Sequence, residues 1–386
     1  MSSSAYLVDD LVAEILLRAP PQCVLRSRAV SRRWRRITTS PAFIDAYSRR
    51  SPPELLAYPD GLRIGSGAKT ALAGVDPADG TIRRFLRFQD PLRLVDSCDG
   101  LLLFARQQRR FQVCNPATRQ WADLPSPAPR PCVNVLASGF YFHRPSGEHR
   151  LLCIGNLPPP PYEYHAPSRA YLSLGQPAAA SSDDAVAHAR KFYYPFPSAC
   201  VAIRGTLYWS RHPEAGGSGD VVAFDTVSEA FRLIPPPPLA GHHLRTFEMD
   251  GRLAVSAAEA HSPSQRMDVW ALEDGGERWA CLLRVDLPAP RRRAGWYQGP
   301  SYEAVAVLEG GLLVVVGADW VVLYDVKGKR TVRRVDLSGS VGNMSRCLFR
   351  ESLVLLPEAD ARPCPRGSTP SCGGKRGGTW IVSNDQ

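Results

Sequence analysis

Ser31-Arg32-Arg33-Trp34-Arg35-Arg36 places four guanidiniums in six residues near the amino end. On a helix they could meet the phosphates of DNA, as a helix-turn-helix would present them. Gly65-Ser66-Gly67-Ala68-Lys69-Thr70 has the ending of a phosphate-binding loop, but Ala68 stands where that loop needs glycine, so the segment reads as a turn. No G-x-S-x-G elbow presents a nucleophile, and His242-His243 has neither metal spacing nor a catalytic partner. The ten cysteines, at 23, 98, 114, 132, 153, 200, 281, 347, 364 and 372, include no C-x-x-C pair, and they read as reduced, mostly buried thiols. Asn343-Met344-Ser345 matches a glycosylation sequon that has meaning only in a secreted chain. These residue types point to binding, with no enzyme activity, cofactor or metal expected.

Length and composition bound the fold that carries these residues. At 386 residues the chain can bury a large core, and 44% apolar with 22% charged residues suits a folded protein. Its 31 glycines and 35 prolines are scattered between short apolar runs, which suits many short strands joined by turns. The first residues, MSSSAYLVDD, lack the basic and apolar regions of a signal peptide, and no run is long enough to span a membrane. A soluble protein of the cytoplasm or nucleus is expected, with no membrane partner. The net charge of +10 is uneven: residues 1–50 hold nine arginines against Asp9, Asp10, Glu14 and Asp45. Such a patch favours an acidic partner, either nucleic acid or an acidic protein surface.

Within those fifty residues Leu11, Ile15 and Leu16 recur at helical spacing behind the acidic pair Asp9-Asp10, which suits the positive end of a helix dipole. Pro20-Pro21 interrupts this helix and opens a second, expected from Pro21 to Ala29. Ser31 can cap a third, in which Trp34 and Ile37 share a face with Val30, and Pro41 closes it. Phe43, Ile44 and Tyr47 add a further apolar stripe. Three short helices bury little alone, so a partner is expected to cover the exposed apolar remainder.

Leu7-Val8-Asp9-Asp10-Leu11 through Glu14-Ile15-Leu16-Leu17-Arg18, then Pro20-Pro21, Leu25, Arg28-Ala29-Val30-Ser31, Arg33-Trp34-Arg35 and Ser40-Pro41-Ala42-Phe43, resembles an F-box over about forty ungapped positions. That resemblance implies docking on a Skp1-like adaptor and, through it, on cullin and RING subunits. It implies that Leu7, Val8, Leu11, Ile15, Leu16, Pro20, Pro21, Leu25, Val30 and Trp34 divide between the module's core and the adaptor interface. The family usually has proline at Val8, leucine at Ala19, a larger apolar residue at Ser27 and cysteine at Ser31, and lost apolar area there would weaken docking. The order of apolar residues fits an F-box far better than a DNA-reading helix.

Ser51-Pro52-Pro53 reads as a linker, after which helical periods give way to brief apolar runs bounded by Gly, Pro, Asp and Ser. A unit then recurs: a strand, Gly-x-Leu, a second strand, and a hairpin around a polar turn. Ser97-Cys98-Asp99-Gly100-Leu101 to Trp121 is its clearest copy. Others surround Gly205, Gly251 and Gly310-Gly311, with weaker ones near Val75-Asp76 and Tyr171-Leu172-Ser173. The period of about fifty residues matches kelch-type blades. The expected fold is therefore mainly β, a propeller-like domain of about six blades over 54–357 behind the helical module of 1–50, with a β-sandwich as the alternative. Glu54–Tyr58 and Ser352–Leu356 are expected to close the ring, residues 156–190 to form a flexible insertion, and 358–386 a disordered tail.

The Ser97–Leu103 and Asn115–Trp121 segments resemble the F-box-associated domain of plant F-box proteins. What the resemblance implies is a substrate-recognition adaptor of a Skp1-cullin-F-box ubiquitin ligase, capturing an unknown target protein. Arg291, Arg292, Arg293, Trp296 and Tyr297 are candidate target-binding residues because they combine arginine and aromatic anchors between strands. Trp121, Trp209 and Trp279 read as core between blades. Two other readings stay open: a DNA-binding module, and a propeller scaffold uncoupled from the ligase.

Overall fold

The computed structural model describes residues 7–59, 70–88, 92–106, 110–124, 134–156, 169–173, 200–210, 220–239, 242–259, 266–273, 278–287, 302–317, 319–356 and 362–363. Four helices come first: α1 (Asp9–Leu17), α2 (Pro21–Ser27), α3 (Arg32–Thr39) and α4 (Pro41–Arg50). The sequence suggested three, with Pro41 as a terminator. Pro41 does end α3, but it also occupies the first turn of α4, where its missing N–H is no loss. The Ser40 hydroxyl accepts from Phe43 N at 3.3 Å and caps α4, as Ser31 accepts from Trp34 N at 3.1 Å and caps α3. The second helix ends at Ser27, two residues before the expected Ala29.

Strands follow in blades. β1 (Glu54–Tyr58), β2 (Thr70–Val75) and β3 (Ile82–Phe88) belong to the first. β4 (Arg93–Cys98), β5 (Leu101–Arg106), β6 (Arg110–Asn115) and β7 (Gln120–Asp123) make the second, and β8 (Asn134–His143), β9 (Glu148–Asn156) and β10 (Arg169–Ser173) the third. The fourth is β11 (Val201–Ile203), β12 (Thr206–Trp209), β13 (Val221–Asp225) and β14 (Phe231–Ile234). β15 (His242–Met249), β16 (Arg252–Glu259), β17 (Arg266–Leu272) and β18 (Trp279–Asp286) form the fifth, and β19 (Tyr302–Leu308), β20 (Leu312–Gly317), β21 (Trp320–Asp325) and β22 (Arg330–Asp336) the sixth. β23 (Asn343–Phe349) then pairs antiparallel with β1 and completes the first blade in the order β23-β1-β2-β3.

The recurring Gly-x-Leu is the hairpin between the first two strands of a blade. Asp99-Gly100, Arg204-Gly205, Asp250-Gly251 and Gly310-Gly311 all have positive φ, from 48° to 87°, as a two-residue turn matching the right-handed strand twist requires. The last hairpin of a blade repeats too. Asp76, Asn115, Asp225 and Asp325 each turn a side-chain oxygen onto the backbone N–H two residues ahead.

First strands lie side by side around an axis: β23 beside β4, β4 beside β8, β11 beside β15, β15 beside β19, and β19 beside β23. Six apolar clusters fill the spaces between neighbouring blades. Alternate residues of one strand serve opposite neighbours: Leu313 and Val315 face the fifth blade, while Val314 and Val316 face the first. This two-sided burial explains why the strands read as continuous apolar runs. Trp121 packs at 6.0 Å from Phe88 and 5.6 Å from Phe104 between the first two blades, and Trp209 and Trp279 also serve inter-blade clusters. A closed ring of six inter-blade cores rules out two facing sheets, so the β-sandwich alternative falls.

One expectation needs correction. β1 closes on β23, and the apolar run Ser352–Leu356 that the sequence offered for this role forms no strand. Its residues pack elsewhere, as described below. The expected flexible insertion contains β10, paired over five residues with β9; its residues 157–168 and 174–190 lie outside those described. In the expected disordered tail β24 (Arg362–Pro363) pairs with β7, and the remainder also lies outside the described residues.

The outermost strand β22 exposes Arg330, Thr331, Val332, Arg333 and Arg334, and Val332 is the extra residue of a bulge opposite Leu323 and Tyr324. Cations and a bulge on a free edge discourage further strand pairing.

Candidate protein-docking site

The helical module sorts its apolar residues cleanly. Val12, Leu16, Val24, Phe43 and Tyr47 are buried, with Leu25, Trp34 and Ile37 packed against them. Leu7, Val8, Leu11 and Ile15 are 46%, 59%, 52% and 55% exposed, and Val30 is 68% exposed. Leu11 and Ile15 lie on one side of α1, with Leu7 just before its start, while Val12 and Leu16 occupy the side facing the core. Of the ten residues singled out in the sequence, Leu16, Leu25 and Trp34 thus serve the core. Leu7, Val8, Leu11, Ile15 and Val30 form the exposed apolar set; Pro20 is also exposed and Pro21 half-buried.

The four departures from the F-box pattern separate in the same way. Ser27 is buried and donates to Val24 O at 2.6 Å, Ser31 caps α3, and Ala19 packs against the core. Only Val8 of these four stands in the exposed set.

Most of the cationic run is used internally. Arg33 and Arg36 both pair with Asp9, Arg36 at 3.2 Å, and Arg33 also donates to Leu7 O at 2.6 Å, tying α3 to the start of α1. The Arg33 hydrogen bond holds the Asp9 carboxyl below the usual carboxylate range. Arg35 donates to Arg28 O at 3.2 Å. Three of the four guanidiniums assigned to phosphate contact in the DNA-binding reading therefore have partners within the module.

The module is joined to the propeller by the segment after β23. Arg350 donates to Ser51 O at 2.7 Å and Arg49 O at 3.4 Å, and Leu353, fully buried, completes the cluster of Val12, Leu16, Val24, Phe43 and Tyr47. Glu351 shares Arg83 with Glu54, at 2.8 and 2.7 Å. Asn115 donates to Ser352 O at 3.1 Å and Val354 O at 2.7 Å, and Leu356 N donates to Gln120 at 3.0 Å. Nothing in the order of residues signals Leu353's role, because its apolar run suits a strand equally well.

Two polar clusters link neighbouring blades. Asp96 on β4 accepts from Ser97 N at 2.8 Å, Phe140 N at 3.0 Å and Cys200 Sγ at 3.2 Å, linking three blades. Burial outweighs these bonds and pushes its carboxyl up to about 6. Cys98, Asp99 and His149 bring three potential metal-ligating atoms within 4.8 Å of one another, a grouping the sequence could not show across fifty residues. Burial pushes the Cys98 thiol well up, and Asp99 is bonded to His149 at 3.1 Å. Of the six cysteines whose side chains are described, Cys114 is buried, Cys98, Cys200 and Cys347 are half-buried, and Cys23 and Cys281 are exposed. Arg291, Arg292, Arg293, Trp296 and Tyr297, and the turn Gly65–Lys69, lie outside the described residues. Among the described residues no helix is long and apolar enough to cross a membrane.

Residues 6–45 match the model of the F-box domain, and residues 86–354 that of the F-box associated beta propeller domain. Three similar proteins of Arabidopsis thaliana bear related names. An F-box protein is 25% identical over 89% of this chain and 85% of its own length. A putative F-box/kelch-repeat protein is 24% identical over 73% and 72%, and a putative F-box protein 26% identical over 70% of each.

Proposed function

The chain belongs to the F-box-associated β-propeller family, and from that premise we propose that it is the substrate-recognition subunit of a Skp1-cullin-F-box ubiquitin ligase. The helical module docks on a Skp1-like adaptor that links it to cullin and RING subunits, and the propeller holds a target protein for ubiquitination in the cytoplasm or nucleus. The chain contributes binding surfaces and no chemistry of its own.

One observation carries the docking half: Leu11 and Ile15 on α1, and Leu7 and Val8 just before it, stand exposed, while the other side of the helix is employed in a core. Small helical modules keep apolar groups in water at a cost of roughly 25 cal/mol per Å², and a partner that covers them recovers it. Replacing Leu11 and Ile15 together by aspartate is expected to weaken binding of a purified Skp1-like adaptor at least tenfold while leaving thermal stability unchanged. Unaltered binding by the folded double variant, measured by calorimetry, would remove this face from the interface.

A further inference from the structure

We propose that the adaptor-docking module is completed by Arg350 and Leu353, from the far end of the propeller, so that docking depends on closure of the ring. The docking part of this inference rests on the function proposed above.

Leu353 is the one buried member of the module's core that comes from outside residues 12–47 among the described residues, and it is fully inaccessible. It meets the cluster to which α1 contributes Val12 and Leu16. Successive helical residues differ by about 100° in direction, so the support that Leu353 gives to 12 and 16 also sets where Leu11 and Ile15 point. Arg350 acts on the other end of the module. Its guanidinium donates to Arg49 O and Ser51 O, carbonyls at the carboxyl end of α4 that lack partners within the helix.

The same stretch of chain has no freedom of its own. Immediately before Arg350, Phe349 pairs with Glu54 in the strand that closes the ring. Immediately after it, Ser352 and Val354 are held by Asn115, and the backbone sits against Gly100 so closely that a Cβ there would lie 2.3 Å from Ser352 Cβ and 2.8 Å from its N. Leu353 is therefore delivered to the helices only when β23 is paired with β1 in the first blade. An open ring withdraws a core residue from the module even though every residue of the F-box itself is present.

The test uses the full chain with Leu353→Asp, Leu353→Met and Arg350→Ala, none of which touches the exposed face of α1. Amide hydrogen exchange is read in α1–α4 and in β12 and β13, and affinity is measured for a purified Skp1-like adaptor. Leu353→Asp is expected to speed exchange in α1 and α4 at least tenfold with β12 and β13 unchanged, and to weaken the adaptor at least tenfold. Leu353→Met should restore both, and Arg350→Ala should fall between. Unchanged exchange in the helices of Leu353→Asp and Arg350→Ala, or equal acceleration in every blade, overturns the inference. If the wild-type chain binds no such adaptor, the function proposed above fails with the docking part, while the exchange data still decide whether Leu353 completes the module.

Discussion

A single buried carboxyl shows how far residue identity underdetermines residue behaviour. Asp96 stands in the apolar-polar run Leu94-Val95-Asp96-Ser97, which reads as an ordinary strand, and nothing in that run announces its bonds to Phe140 and Cys200. Its folded pKa of about 6 lies above the 3.8 of a freely solvated aspartate, so the native state keeps a proton that the unfolded chain releases between those values. Its stabilising contribution is full below the unfolded pKa and is lost as pH rises through about 6, a change of about 3 kcal/mol by linkage. Asp96→Asn abolishes this titration, at a pH-independent cost from setting an amide donor against Ser97 N or Phe140 N. Urea unfolding across the acid range is expected to show wild-type stability falling relative to the variant as pH rises through that window; parallel profiles would contradict the assignment. The core and surface roles of Leu16 and Leu11 were equally hidden one by one, since both are leucines at helical spacing. They separate only when α2–α4 and Leu353 are in place to define an inside.

Elements were easier to read than residues, because their punctuation has local physical causes. The Asp-Gly and Gly-Gly turns need positive φ, and Ser31 before an arginine-rich helix is a capping residue wherever it occurs. Pro41 misled because proline both ends one helix and suits the start of another, and the capping hydroxyl of Ser40 decides between them. Ser352–Leu356 misled because alternating apolar residues fit a strand as well as a strap, and only the partners, Asn115 and the helical core, distinguish the two. Ser31→Ala is expected to cost about 1 kcal/mol of module stability, seen as faster amide exchange at the amino end of α3 with blade hairpins unaffected. The same variant should keep its adaptor affinity within a few-fold, since Ser31 supports the helix rather than the exposed face of α1.

For the whole molecule the repeat of turns indicated a ring, whereas the manner of closure depended on pairing across nearly the full sequence. β1 lies fully buried at Leu55, Leu56 and Ala57, with Leu55 and Ala57 packed toward the sixth blade and Leu56 toward the second. Leu56→Ala is therefore expected to cost about 2–5 kcal/mol and to lower one shared calorimetric transition; a separate, shifted transition for the first blade would show that the blades melt independently. The pairing of Glu54 with Phe349 also sets a timetable. At common rates of synthesis β1 leaves the ribosome roughly 15–60 s before its partner exists. Throughout that interval Leu55-Leu56-Ala57-Tyr58 is an apolar strand with an open edge, the kind of segment that associates with other unfinished chains. Yield in cells should thus be governed less by the stability of the finished ring than by how well the waiting strand is shielded during synthesis.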